Sequence, residues 1–114
     1  MKQQMALKDK HSDAIKAIIL ENAESALCQA LMTAETTEDM KALMIDLCTP
    51  QELNALAERW LIARLLARGD LSYRDINGLT GVSTTTIGRV ARFLEKEPHK
   101  GYKKALEKTD QAQS

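Results

Sequence analysis

The 114-residue sequence is poor in aromatic rings, with one Phe, one Trp and two Tyr. β-branched residues do not alternate with polar ones over useful lengths, so the usual material of strands is missing. Proline occurs twice and glycine five times, which leaves long stretches unpunctuated. The two cysteines, Cys28 and Cys48, form no C-x-x-C pair, and the two histidines, His11 and His99, lie near opposite ends. That spacing offers neither a zinc site nor a disulfide framework; free, buried thiols in a reducing compartment are expected. No apolar run reaches the length of a bilayer span. The opening MKQQMALKDK lacks the apolar core of a signal peptide. A cytoplasmic location, without membrane partners, is expected. There is no nucleophile paired with a base, no phosphate-cradling glycine loop and no evident carboxylate pair. His11 and His99 read as solvated side chains. Neither enzymatic activity nor a metal or other cofactor is expected.

Net charge is also absent, but only in total. Residues 1–58 hold five Lys+Arg against ten Asp+Glu, a net of −5. Residues 59–114 hold eleven against six, a net of +5. A basic half suggests an anionic partner. The same split would also let two halves attract one another within a dimer.

What the chain has in quantity is helical periodicity. From Ser12, the residues Ile15, Ile18, Ile19, Ala23, Ala26, Leu27, Ala30 and Leu31 fall on the i, i+3, i+4 grid. They predict one long, alanine-rich first helix that another helix can approach closely. Thr37 is the expected N-cap of a second helix through Leu43 and Leu47. CTPQEL starts a third: Thr49 caps, Pro50 takes the first helical position and Glu52 completes a capping box. That helix runs past Leu53, Leu56, Trp60, Ile62, Leu65 and Leu66 to Gly69, and its apolar residues on more than one face mark it as central. The Arg68–Asp70 tripeptide resembles an adhesion motif and is read as coincidence. Pro98 stops a later helix, a short last turn is expected around Tyr102, Ala105 and Leu106, and TDQAQS is expected to fray.

The segment LSYRDINGLTGVSTTTIGRV, residues 71–90, carries the functional signal. Ser72 and Asp75 have capping-box spacing for a helix with Ile76 and Leu79. Gly81 supplies a position where positive φ costs little, and Ser83 caps the next helix. There Ile87, Val90, Ala91 and Leu94 form an apolar stripe expected to pack on Ile76, Leu79 and the central helix. The opposite face carries Thr84, Thr85, Gly88, Arg89 and Arg92. Helix, glycine turn, helix is the layout of a helix-turn-helix. Its second helix presents N-terminal residues to base edges in the major groove. Thr84, Thr85 and Thr86 are short and carry hydroxyls for bases or phosphates and methyls for thymine. Gly88 removes a side chain where a partner would approach. Arg89 and Arg92 can reach guanine or phosphate. Arg74 and the caps Ser72 and Ser83 suit phosphate, because helix N-termini favour anions.

The stretch CTPQELNALAERWLIARLLARGDLSYRDINGLTGVSTTTIGRV resembles the Trp-repressor superfamily, and its YerC/YecD-type branch in particular. The likeness rests on TP, ARGDLSYRDI and GVSTTTIGRV and extends over residues 43–94. It implies an all-α, intertwined homodimer with one helix-turn-helix per copy, bound to double-stranded DNA at a pseudo-palindromic operator. Half-sites would lie about one helical turn apart. On this reading residues 1–114 form a single helical domain. Residues 12–68 are dimerisation helices, 71–97 the helix-turn-helix, and 98–114 a short C-terminal helix and tail. Tryptophan-binding members hold the indole between two arginines. Thr49, Arg59 and Arg89 match that site, whereas Val90 and Phe93 stand where those members have glycine and serine. Both are larger and should occupy the ligand's space, so a repressor independent of tryptophan is expected, with any small-molecule corepressor left open. Arg59 would then serve an ion pair on the helix surface. The competing reading is a helical protein-interaction module that keeps the helix-turn-helix as scaffold.

Overall fold

A computed structural model describes residues 12–113, the last three as backbone only. His11, the opening MKQQMALKDK and Ser114 lie outside the described residues. All regular structure among the described residues is α-helical: α1 (12–20), α2 (Ala23–Leu31), α3 (Thr37–Leu47), α4 (Pro50–Arg68), α5 (Tyr73–Thr80), α6 (Thr84–Glu95) and α7 (Gly101–Gln113). The fold is all-α. The chain divides into two compact units, Met1–Leu47 and Cys48–Ser114, a boundary that falls inside the segment 12–68.

In the first unit, the expected single long helix is two. Asn22 interrupts it in extended backbone (φ −66°, ψ 113°) and its Oδ1 accepts the Ser25 N–H at 2.9 Å. Asparagine competes for backbone donors better than it propagates a helix, and here it caps α2. The apolar grid runs through the break, which is why periodicity alone missed it. α3 is capped by Thr36, not Thr37: the Thr36 hydroxyl accepts the Asp39 N–H at 3.1 Å. Neither α2 nor α3 buries a residue. Ile18, Ile19, Leu20 and Met32 are 71–84% exposed. Cys28 is free but exposed, and Cys48, in the second unit, is free and half-buried. The expectation of buried thiols fails for Cys28 because α2 buries none of its residues.

The second unit has the hydrophobic core. Ile62, Ala63, Ile76, Val82, Ile87 and Val90 are buried together, with Trp60, Leu65, Leu66, Leu71 and Tyr102 packed around them. α4 begins with the predicted capping box: Thr49 Oγ1 accepts the Glu52 N–H, and Glu52 Oε1 accepts the Thr49 N–H. Gly69 ends it at φ 80°, in the left-handed region. The two residues around that glycine explain the Arg68–Asp70 tripeptide, since their side chains form a two-pronged ion pair at 2.9 and 3.1 Å across the helix terminus. α4 packs on both α6 and α7, and Trp60 stacks on Tyr102 with ring centroids 6.4 Å apart. α7 is a helix of 13 residues rather than a short turn and takes in most of the expected tail.

Candidate nucleic-acid interface

α5, its turn and α6 are fixed by hydrogen bonds that the sequence largely encodes. Ser72 and Asp75 exchange backbone bonds at 2.9 and 3.0 Å, closing a capping box on α5. Gly81 takes φ 75° and its N–H donates to the Asn77 carbonyl at 2.8 Å. Two side chains then close the turn. Asn77 Nδ2 donates to the Val82 carbonyl at 2.8 Å, and the Thr80 hydroxyl donates to the Ile76 carbonyl while accepting the Val82 N–H. Neither side chain stands out by spacing or periodicity in the sequence. They explain a correction: Leu79 is 71% exposed, not packed on α6. The face of α5 that meets the turn belongs to Ile76, Asn77 and Thr80, and Leu79 is left outside it.

Ser83 caps α6, accepting the Thr86 N–H at 3.2 Å and donating to the Thr86 hydroxyl at 3.1 Å. Ile87, Val90 and Leu94 are buried and Ala91 is half-buried. This anchors α6 by one stripe and fixes which face is free. On that free face Thr84, Thr85, Arg89 and Arg92 are exposed, and Gly88 and Thr86 are half-buried. Ser72, Arg74 and Ser83 are exposed as well. A Cβ built on Gly88 would meet nothing within 4 Å. Packing among the described residues therefore gives no reason for glycine there. An open cleft of about 600 Å³, with Leu66, Leu71, Tyr73 and Arg92 among its walls, borders it.

The candidate residues differ in how they are engaged. Among the described residues, the hydroxyls of Thr84 and Thr85 have no partner and Arg74 and Arg89 have no carboxylate in ion-pair range. Arg89 instead lies over the Phe93 ring, its guanidinium carbon 4.5 Å from the centroid. Arg92 is held by Glu97 at 2.8 Å. The hydroxyls of Ser72 and Ser83 are already spent on caps.

The residues matched to a ligand site are also placed. Thr49 Oγ1 is occupied by its capping bond. Arg59 is half-buried on α4, and among the described residues it has no ion pair, contrary to the surface pair expected for it. Val90 is 1% exposed and belongs to the core. Phe93 stacks on His99 with centroids 6.1 Å apart. Beside them is an apolar cavity of about 350 Å³ lined by Phe93, His99, Gly101 and Tyr102. Among the described residues no cluster of His, Cys, Asp and Glu could hold a metal ion. None of the described helices is long and apolar enough to cross a membrane.

A capped helix, a left-handed glycine turn and a second helix anchored by one stripe define a helix-turn-helix protein. The chain belongs to the family described as Trp repressor protein, whose pattern matches residues 23–110. It is similar to the uncharacterized protein YerC of Bacillus subtilis (strain 168), with 33% identity over 88 residues, covering 77% of this chain and 83% of that protein. No solved structure matches it.

Proposed function

We propose that this protein is a sequence-specific DNA-binding regulator of the YerC/YecD type. It acts as a homodimer and represses by occupying a pseudo-palindromic operator. One observation carries the reading. On the free face of α6, Thr84, Thr85 and Arg89 are exposed and, among the described residues, their side chains have no hydrogen-bonding or ionic partner, Gly88 beside them is half-buried, and the opposite face is locked into the core. Free hydroxyls, a free guanidinium and a missing side chain at the point of closest approach suit the floor of a major groove. Family membership supports a DNA-binding regulatory role.

The homodimer is supported by the first unit. Its exposed isoleucines and leucines, and helices α2 and α3 with no buried residue, leave apolar surface that a second copy would cover. Independence from tryptophan is supported by Val90 in the core and Phe93 stacked on His99, next to Arg89. The test is selection of bound fragments from genomic DNA by the full chain, with and without L-tryptophan. Enrichment of a two-fold symmetric site in both arms is expected. No enrichment, or enrichment only with tryptophan, contradicts the proposal.

A further inference from the structure

Arg92 lies seven residues after Thr85, on the stripe of α6 that also carries Gly88 and Arg89. Whereas Arg89 rests on the Phe93 ring, Arg92 is held by a carboxylate. Its Nε donates to a Glu97 carboxylate oxygen at 2.8 Å, and one Nη lies in ion-pair contact with the same oxygen, also at 2.8 Å. Glu97 is itself fixed by the way α6 ends. The Arg92 carbonyl accepts the N–H of both Lys96 and Glu97, at 2.8 and 3.0 Å. Pro98 follows and turns the chain away from helix. Backbone and side chain thus close two rings between the same pair of residues. The Glu97 side chain is 23% exposed, against 68% for Arg92, so the carboxylate is the sheltered partner and the guanidinium the presented one.

A guanidinium has five N–H donors in one plane. Glu97 takes the edge formed by Nε and one Nη. The end-on edge, with one N–H donor from each Nη, is left unengaged by Glu97 on a side chain that is mostly exposed. We propose that Glu97 is a positioning residue for DNA reading: it fixes the plane of Arg92 so that only the end-on fork is offered to a guanine edge. This rests on the DNA-binding reading of α6. The arrangement has a cost. A carboxylate near phosphates weakens attachment to any duplex, so Glu97 gives up affinity and gains discrimination. An arginine released from it would turn to the nearest phosphate, which carries no sequence information.

The test uses the full chain and two labelled duplexes, one enriched in the genomic selection and one with the same bases shuffled, followed by fluorescence anisotropy across a salt series. Glu97→Gln should bind the shuffled duplex several-fold more tightly, with a log–log salt slope steeper by up to about 0.9. Its preference for the enriched duplex should fall about tenfold, in line with the loss of one two-pronged base contact. Glu97→Asp keeps the charge but shortens the reach. It should lose the same preference without tightening on the shuffled duplex. A role confined to fold stability would change both duplexes alike. An unchanged preference in either variant, or in Arg92→Ala, overturns the inference while leaving the DNA reading intact. A natural chain that binds neither duplex overturns both.

Discussion

The guanidinium carbon of Arg89 sits 4.5 Å from the centroid of Phe93, one helical turn further along α6. Phe93 in turn stacks on His99. A ring so engaged rests an exposed arginine without neutralising it, and on the proposed reading it fills the space an indole ligand would need. L-Tryptophan should therefore give no saturable heat on titration into the protein, and a stoichiometric binding isotherm would contradict this. Phe93→Ser should release Arg89 and weaken DNA binding about two- to fivefold, the worth of an exposed cation–π contact.

Two glycines on the same motif should respond in opposite ways to alanine. Gly81 has φ 75°, and a Cβ there strains the backbone although space is open. Gly81→Ala should cost about 1–2 kcal/mol of stability. Gly88 is helical with equally open space. Gly88→Ala should stabilise by about 0.5–1 kcal/mol and weaken DNA binding. Urea unfolding and anisotropy measure the two effects. A Gly88→Ala variant that binds DNA like the natural chain would remove the argument for close approach.

Acid should loosen the second unit through two carboxylates. Hydrogen bonds from the Thr49 backbone and hydroxyl hold Glu52 below its ordinary 4.5. The hydrogen bond and charge of Arg68 hold Asp70 below 3.8. Depressed folded values mean that the unfolded chain binds these protons more readily. Their stabilisation is complete above the ordinary values and is lost as pH falls through the folded ones. Both groups are solvent-exposed, so the effect is small and salt-screened. Urea midpoints between pH 7 and 3 should fall less steeply for Glu52→Gln, Asp70→Asn combined than for the natural chain. Parallel curves would show that neither contact matters.

The exposed isoleucines of α1 predict self-association. The natural chain should sediment as a dimer at micromolar concentration, and Ile18→Lys with Ile19→Lys should shift it toward monomer. A natural chain that stays monomeric throughout contradicts the proposed assembly.

What could be read from the sequence was mainly local chemistry. Thr49–Pro50–Glu52, Ser72–Asp75, Ser83, Gly69 and Gly81 each act through bonds within a few residues, and each does what its side chain dictates. The misses have two causes. At Asn22 the hydrophobic grid continues through a capping residue, so periodicity sees one helix where hydrogen bonding makes two. At Leu79 the apolar residue lost the inner face to Asn77 and Thr80, whose bonds across the turn satisfy partly buried backbone groups. The pairing of Arg92 with Glu97 spans five residues across a helix end, a separation that no helical spacing rule would flag.

The face of α6 is tested most directly by the salt dependence of binding to the enriched duplex, measured for the natural chain, Thr85→Ala and Arg89→Ala. The natural chain should lose affinity linearly on a log–log plot as phosphate counterions are released. Arg89→Ala should bind more weakly with a slope shallower by up to about 0.9. Thr85→Ala should bind more weakly at unchanged slope. Binding that ignores salt, or that is identical in all three proteins, would contradict the account.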